Sequence, residues 1–313
     1  MCNREHYYGS FFIAHSRKIG EPIVDLKVLY DHPAHESRIM GSLQDLRTLS
    51  KDFPEQEAKM PLLFIGHGSP MNGIEDNEFS RRWRQIGKEV PEPTAVLCVS
   101  AHWFTHGTFV TAMDKPGTIH DFYGFPKPLF DVQYPARGSP ALAKEMVSLI
   151  HKTEIGLDHE WGLDHGTWSV VKNMFPEAGI PVVQLSLDYS QKPKFHYDLA
   201  RELAVLRKKG ILIIGSGNMV HNLGIMNWKL KEAGYDWAME SNEKFKELIL
   251  NRDHEALINY ESLGQEARLS VPTPEHYLPM LYVLGLTEEK EEIKFFNDKT
   301  VMGSVSMTSF SAR

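Results

Sequence analysis

The chain has 313 residues, enough to bury a large core as one big α/β domain or two smaller ones. Its composition is globular, 42% hydrophobic and 24% charged, and its formal net charge of −7 excludes the basic face that a nucleic-acid partner requires. No apolar run approaches the roughly 20 residues needed to cross a bilayer, and Met1-Cys2-Asn3-Arg4-Glu5-His6 lacks the order of a secretory signal, so the expected location is the cytoplasm.

Residues 1–39 carry scattered histidines and aromatics without a sustained period, which predicts a poorly ordered extension or an upstream start preceding Met40. Leu43–Leu49 has the apolar spacing of a short amphipathic helix. From residue 61 the pattern becomes clear. Pro61–Ile65, Ala95–Ser100, Pro181–Leu187 and Gly210–Gly215 are short apolar, β-branched runs of the buried-strand type. Helical patterns fall between and after them: Phe79–Glu89, Pro140–His151 with Pro at its first turn, Tyr197–Lys209 ending at Gly210, and Met239–Leu250. Such alternation predicts a single α/β domain with a largely parallel central sheet flanked by helices, spanning residues 40–313.

Chemistry enters where these strands end. The first runs into Gly66-His67-Gly68-Ser69-Pro70, the second into Ala101-His102-Trp103, and the fourth into Gly215-Ser216-Gly217-Asn218-Met219-Val220-His221-Asn222. Ligands of open α/β sheets bind outside the carboxyl ends of the strands, so three distant histidines are expected to meet in one crevice. A lone histidine in a turn is ordinarily bonded to backbone; three on one sheet edge are poorly explained by packing. His165, in Asp164-His165-Gly166-Thr167-Trp168, and His276, in Pro272-Thr273-Pro274-Glu275-His276-Tyr277, extend the set. Cys98 lies in an apolar run and Cys2 near the start, so a metal site here has to be built from imidazole and carboxylate. Phosphate-loop, dinucleotide, H-E-x-x-H and G-x-S-x-G signatures do not occur. Gly66-His67-Gly68-Ser69 superficially evokes an oxyanion loop, but nothing specifically marks a base and acid for Ser69.

These motifs, together with Thr118-Ile119-His120-Asp121-Phe122-Tyr123-Gly124-Phe125-Pro126 and Gln133-Tyr134-Pro135-Ala136, resemble the class III extradiol ring-cleaving dioxygenases, in the 4,5-DOPA extradiol dioxygenase-like branch. The resemblance covers roughly residues 60 to 309. It implies one divalent metal ion per chain, Fe(II) for catalysis or Zn(II) as purified, and a catechol substrate with O₂. His67 and His102 match metal ligands, and His276 or His221 stands where related enzymes use a glutamate. An all-histidine shell tolerates zinc better than a shell with a carboxylate. His221 also matches the acid/base histidine of the family, so it is both a metal and a catalytic candidate, and His165 matches a substrate-contacting one. His120, Phe122, Tyr123 and Phe125 are candidates for a loop over an aromatic ring. Asp164 is either a carboxylate that orients a histidine or a helix cap, and Trp103 and Trp168 are expected to pack rather than stack on substrate. Rival readings are a zinc hydrolase on the same scaffold and a non-catalytic binding relative. A monomer or small homo-oligomer, without nucleic-acid or membrane partners, is expected.

Overall fold

The computed structural model describes residues 53–313. The extension at 1–39 and the helix expected at Leu43–Leu49 lie outside the described residues. Numbering the strands and the longer helices in chain order gives β1 Leu62–Gly66, α1 Glu78–Glu89, β2 Ala95–Thr105, β3 Thr108–Thr111, α2 Pro140–Leu149, β4 Ile155–Asp158, α3 His165–Met174, β5 Val182–Asp188, α4 Pro193–Glu202, β6 Ile211–Gly217, α5 Asp236–Leu250, α6 Leu278–Leu286, β7 Ile293–Phe296, β8 Thr300–Val301, β9 Val305–Ser306 and β10 Ser309–Ala312.

Eight of the described strands form one sheet in the order β4-β3-β5-β2-β6-β1-β10-β7. Its centre is parallel: β2 pairs with β5 and β6, and β6 pairs with β1. The flanks turn antiparallel, where β10 joins β1 and β7, and where β3 meets β5. Period-two geometry sends alternate side chains to opposite faces. Leu62 and Phe64 of β1, Leu97 and Val99 of β2, and Ile211 and Ile213 of β6 enter the core on one face with α2, α4, α5 and α6. Leu63 and Ile65, Val96 and Cys98, and Leu212 and Ile214 enter the core on the other face with α1 and α3. Burial on both faces is why these strands read as unbroken apolar runs.

Two elements differ from expectation. The helix predicted at Tyr197–Lys209 begins earlier, with Pro193 in its first turn, and breaks into a 3₁₀ turn over Ala204–Lys209. Gly210 closes that turn at φ 75°, the left-handed conformation that glycine adopts without a Cβ clash. Strand β2 runs past Ser100 to Thr105, with its register to β5 broken between Val99 and Phe104. Bulges of this kind re-aim side chains at sites, and His102 sits in this one. Among the described residues, no helix is long and apolar enough to cross a membrane.

Candidate metal centre

Each of the five motif histidines arrives on a different piece of backbone. His67 follows β1, and its amide donates to the Gly217 carbonyl at 3.1 Å, which ties the exits of β1 and β6 together. His102 lies in the irregular stretch of β2. His165 opens α3, whose preceding residue Asp164 caps the helix by accepting from the Thr167 amide at 3.0 Å. His221 follows β6 and bridges to Val305. His276 occupies the turn before α6, and its carbonyl accepts from the Asn218 amide at 2.8 Å.

The rings converge. His67 lies 5.0, 5.7 and 5.4 Å, centroid to centroid, from His102, His165 and His276. His102 and His165 are 3.8 Å apart, and His221 stacks on His276 at 3.5 Å. Coordinating atoms of His67, His102 and His276 lie within 4.8 Å of one another, as do those of His221 with Glu275 and His276, and those of His102 with Asp121 and His165.

Hydrogen bonds fix which nitrogen of each ring is free. The Ser216 hydroxyl donates to the Gly166 carbonyl at 2.6 Å, so the 3.0 Å contact between Ser216 Oγ and His67 Nδ1 leaves the imidazole as donor. His102 Nδ1 lies 3.1 Å from Asp121 Oδ2, and His276 Nδ1 lies 3.2 Å from Glu275 Oε1. A carboxylate only accepts, so these rings also carry their proton on Nδ1. Their Nε2 lone pairs are left unprotonated, and those of His67 and His102 face each other at 3.1 Å. Two lone pairs at that distance repel unless a cation sits against both, either a metal ion or a proton held on one ring. Nitrogens bound to one ion at about 2.1 Å stand about 3.0–3.4 Å apart across octahedral to tetrahedral angles, so this donor set fits a metal.

Burial and neighbouring charge act on all five rings. Burial, reinforced by the neighbouring imidazoles, holds His67 and His221 well below the ordinary histidine range. Burial also lowers His165 and His276, against the partly opposing pull of Asp121 and Glu275. On His102 burial acts downward too, but the Asp121 charge and hydrogen bond outweigh it and raise the ring above its usual value. Both carboxylates stay ionised although burial opposes it: His165 and His102 hold Asp121 well below the ordinary range, and the His276 hydrogen bond brings Glu275 to about 2. Neutral imidazoles backed by carboxylates are the state in which histidine binds metal; burial favours it at His67, His165, His221 and His276, while at His102 the Asp121 charge favours the protonated ring that a metal would have to displace.

The remaining candidates sort by contact. Asp164 proves to be the cap: its other oxygen accepts from Gln184 Nε2 at 2.6 Å, and Ser100 Oγ donates to Oδ1 at 2.7 Å. The carboxylates on the histidine rings are instead Asp121 and Glu275. Phe122 is buried with its ring edge-on to His165 at 5.5 Å, whereas Tyr123 is exposed. His120 Nε2 donates to the Val132 carbonyl at 3.0 Å. Trp168 is buried and donates to the Ile119 carbonyl, and Trp103 stacks on Trp161, so both pack as expected. Ser69 Oγ accepts from the Met71 amide and caps a 3₁₀ turn, a structural use for the one serine that suggested an oxyanion loop. Sequence reasoning missed Asp121, Ser216 and Glu275, although each adjoins a quoted histidine or lies in a quoted motif.

Residues 61–309 match the family model described as the catalytic LigB subunit of aromatic ring-opening dioxygenase. A protein of Escherichia coli K12 named 4,5-DOPA dioxygenase extradiol is 48% identical over 266 residues, covering 83% of this chain and 97% of the relative. A Beta vulgaris protein of the same name is 33% identical, covering 79% and 94% of the two chains. The crystal structure of an uncharacterized Escherichia coli K12 protein superposes with a TM-score of 0.72 at 44% identity, covering 81% of this chain and 99% of the other. The chain belongs to the LigB family, in its 4,5-DOPA extradiol dioxygenase-like branch.

Proposed function

We propose that this chain is a metal-dependent extradiol dioxygenase that opens the ring of a DOPA-like catechol with O₂. The observation that carries the reading is the meeting of His67 and His102 through Nε2 atoms 3.1 Å apart, with His276 beside them. These three imidazoles would hold one divalent ion, iron for catalysis or zinc as purified, since imidazole suits both. The ion would supply chelation of the two catechol oxygens and the redox chemistry that joins ring and O₂.

The protein's own part is proton management and enclosure. His165 donates from Nδ1 to Asp121 at 2.9 Å, which leaves Nε2 to accept a proton. His221 is held neutral by burial, so it too can take a phenolic proton and return it later. Phe122 and the rings it touches, His165 and Trp168, form an aromatic wall suited to a planar substrate. Buried walls also keep water from the reacting ring. We assign the enzyme to the cytoplasm as a monomer or small homo-oligomer, with residues 1–39 outside the catalytic domain.

The test is anaerobic loading with Fe(II), followed by oxygen uptake against a panel of catechols headed by DOPA. Uptake matched by a yellow ring-opened semialdehyde is expected. Absence of uptake with every catechol, together with ester or amide hydrolysis by the zinc form, would replace this reading with a hydrolase.

A further inference from the structure

We infer that Asp121 is a positioning residue that sets a metal-holding imidazole and a proton-moving imidazole through one carboxylate oxygen. Its Oδ2 lies 3.1 Å from His102 Nδ1 and 2.9 Å from His165 Nδ1, while Oδ1 accepts from the His165 amide at 2.9 Å. Three N–H groups thus converge on a single acceptor-only group. The two rings come from separate elements, the β2 bulge and the first turn of α3, and they face each other at 3.8 Å. One oxygen atom therefore ties together two rings that the fold brings from distant parts of the chain.

The consequence is tautomeric. With Oδ2 facing both Nδ1 atoms, each ring carries its proton there and turns a lone pair outward from Nε2. For His102 that lone pair points at His67 and the ion site. For His165 it is one of the two proton acceptors of the proposed reaction, beside His221, so this half of the inference rests on the dioxygenase reading. Asp121 itself belongs to neither element. It sits on the segment leading to Tyr134, which is anchored where the Ile119 amide donates to the Leu163 carbonyl at 2.7 Å and Trp168 Nε1 donates to the Ile119 carbonyl at 2.9 Å. Docking of that segment therefore reaches the ion site and the proton acceptor together.

A carboxamide cannot reproduce this arrangement. If the side chain of an Asp121→Asn variant turned its oxygen to the two rings, its NH₂ would meet the His165 amide, donor against donor. In the other orientation the NH₂ would meet both Nδ1 atoms and drive each proton to Nε2, where it blocks the lone pair.

The experiment compares wild type, Asp121→Asn, Asp121→Glu and His165→Gln as purified full chains stripped of metal and titrated with Co(II) or Zn(II). Asp121→Asn should weaken metal binding by about 10–100-fold, the usual cost of removing a partner that orients a ligand. It should also lower turnover per bound ion by about 100-fold through loss of acid–base positioning. His165→Gln should keep metal affinity within about threefold of wild type, because it removes no ligand. In the diamagnetic Zn(II) form, proton NMR should show two hydrogen-bonded ring N–H resonances that vanish in Asp121→Asn, one of which vanishes in His165→Gln. Asp121→Glu, which retains an acceptor, should restore part of the affinity, and thermal melts establish that each variant is folded. Metal affinity within about twofold of wild type in folded Asp121→Asn, or survival of both resonances, overturns the inference. Should wild type oxidise no catechol, the affinity and resonance arms still decide the role of Asp121, while the dioxygenase reading fails separately.

Discussion

The imidazole of His221 lies face to face with that of His276, centroids 3.5 Å apart and planes 11° from parallel. The ligand-type atoms near His221 belong to Glu275 and His276, while His276 also groups with His67 and His102. His276 is thus shared between the two sets, and His221 stacks on the ring they share.

Under the proposed function His221 is an acid–base group, and ligation falls to His67, His102 and His276. Replacing His67, His102 or His276 with alanine should abolish metal retention and turnover together. His221→Ala should retain the ion and lower turnover by about 10²–10⁴-fold, the range for a general acid–base group. Metal analysis of the purified variants beside steady-state rates checks both. Loss of metal from His221→Ala would make it a ligand.

A second prediction concerns the junction of β6 with the turns that carry His67 and His276. A Cβ on Gly217 would lie 2.1 Å from the His276 carbonyl oxygen, a backbone atom that cannot swing aside. The Gly217 carbonyl also receives the His67 amide. Gly217→Ala should therefore displace two ligand segments at once, with a stability loss of about 1–3 kcal/mol for overpacking and weaker metal binding. Urea unfolding and zinc content measure the two effects. Unchanged values of both would show that the close approach is dispensable.

Legibility follows burial. The four central parallel strands are readable within a residue or two at most ends because both faces of each are apolar. Strands such as β3 and β10, Thr-Phe-Val-Thr and Ser-Phe-Ser-Ala, are short and mixed, and carry no comparable run. At the site, His67, His102 and His221 are visible through their position at or past strand ends, and His165 and His276 through the motifs around them. Their partners are not. Asp121 and Asp164 are both aspartates beside a histidine in sequence, and only the docking of the 118–134 segment on α3 decides that the first meets the rings and the second caps a helix. Ser216 is likewise an ordinary strand serine until β6 lies beside Gly166 and His67.

Stability should depend on pH through a histidine remote from the proposed chemistry. His196 of α4 is fully buried beside the Tyr282 hydroxyl, 3.2 Å from its Nδ1, and burial lowers it from 6.5 to about 4. Between these values the unfolded chain binds the proton that the folded chain refuses. Stability is therefore retained above about pH 6.5 and declines as pH falls toward 4, by about 3 kcal/mol for this group. Urea midpoints of metal-free protein should fall across that window, and less steeply in His196→Gln. Parallel slopes would exclude His196 as a source.

The site histidines span positions 67 to 276, and the family match spans 61–309. A chain lacking residues 1–39 should keep kcat/KM and thermal midpoint. A large drop in either would assign that segment a place on the catalytic domain or on a partner subunit.

Ring opening by O₂ is tested by the product that the ferrous protein forms from a catechol carrying a carboxylate side chain but no amine. Without an amine the ring-opened aldehyde is not trapped by intramolecular condensation, so its mass reports the reaction itself. Oxygen should be consumed in step with substrate, giving a product heavier than the substrate by one whole O₂, with the second oxygen of its new carboxylate supplied by labelled O₂. A product of unchanged oxygen content, a quinone, or no consumption of oxygen would contradict ring opening.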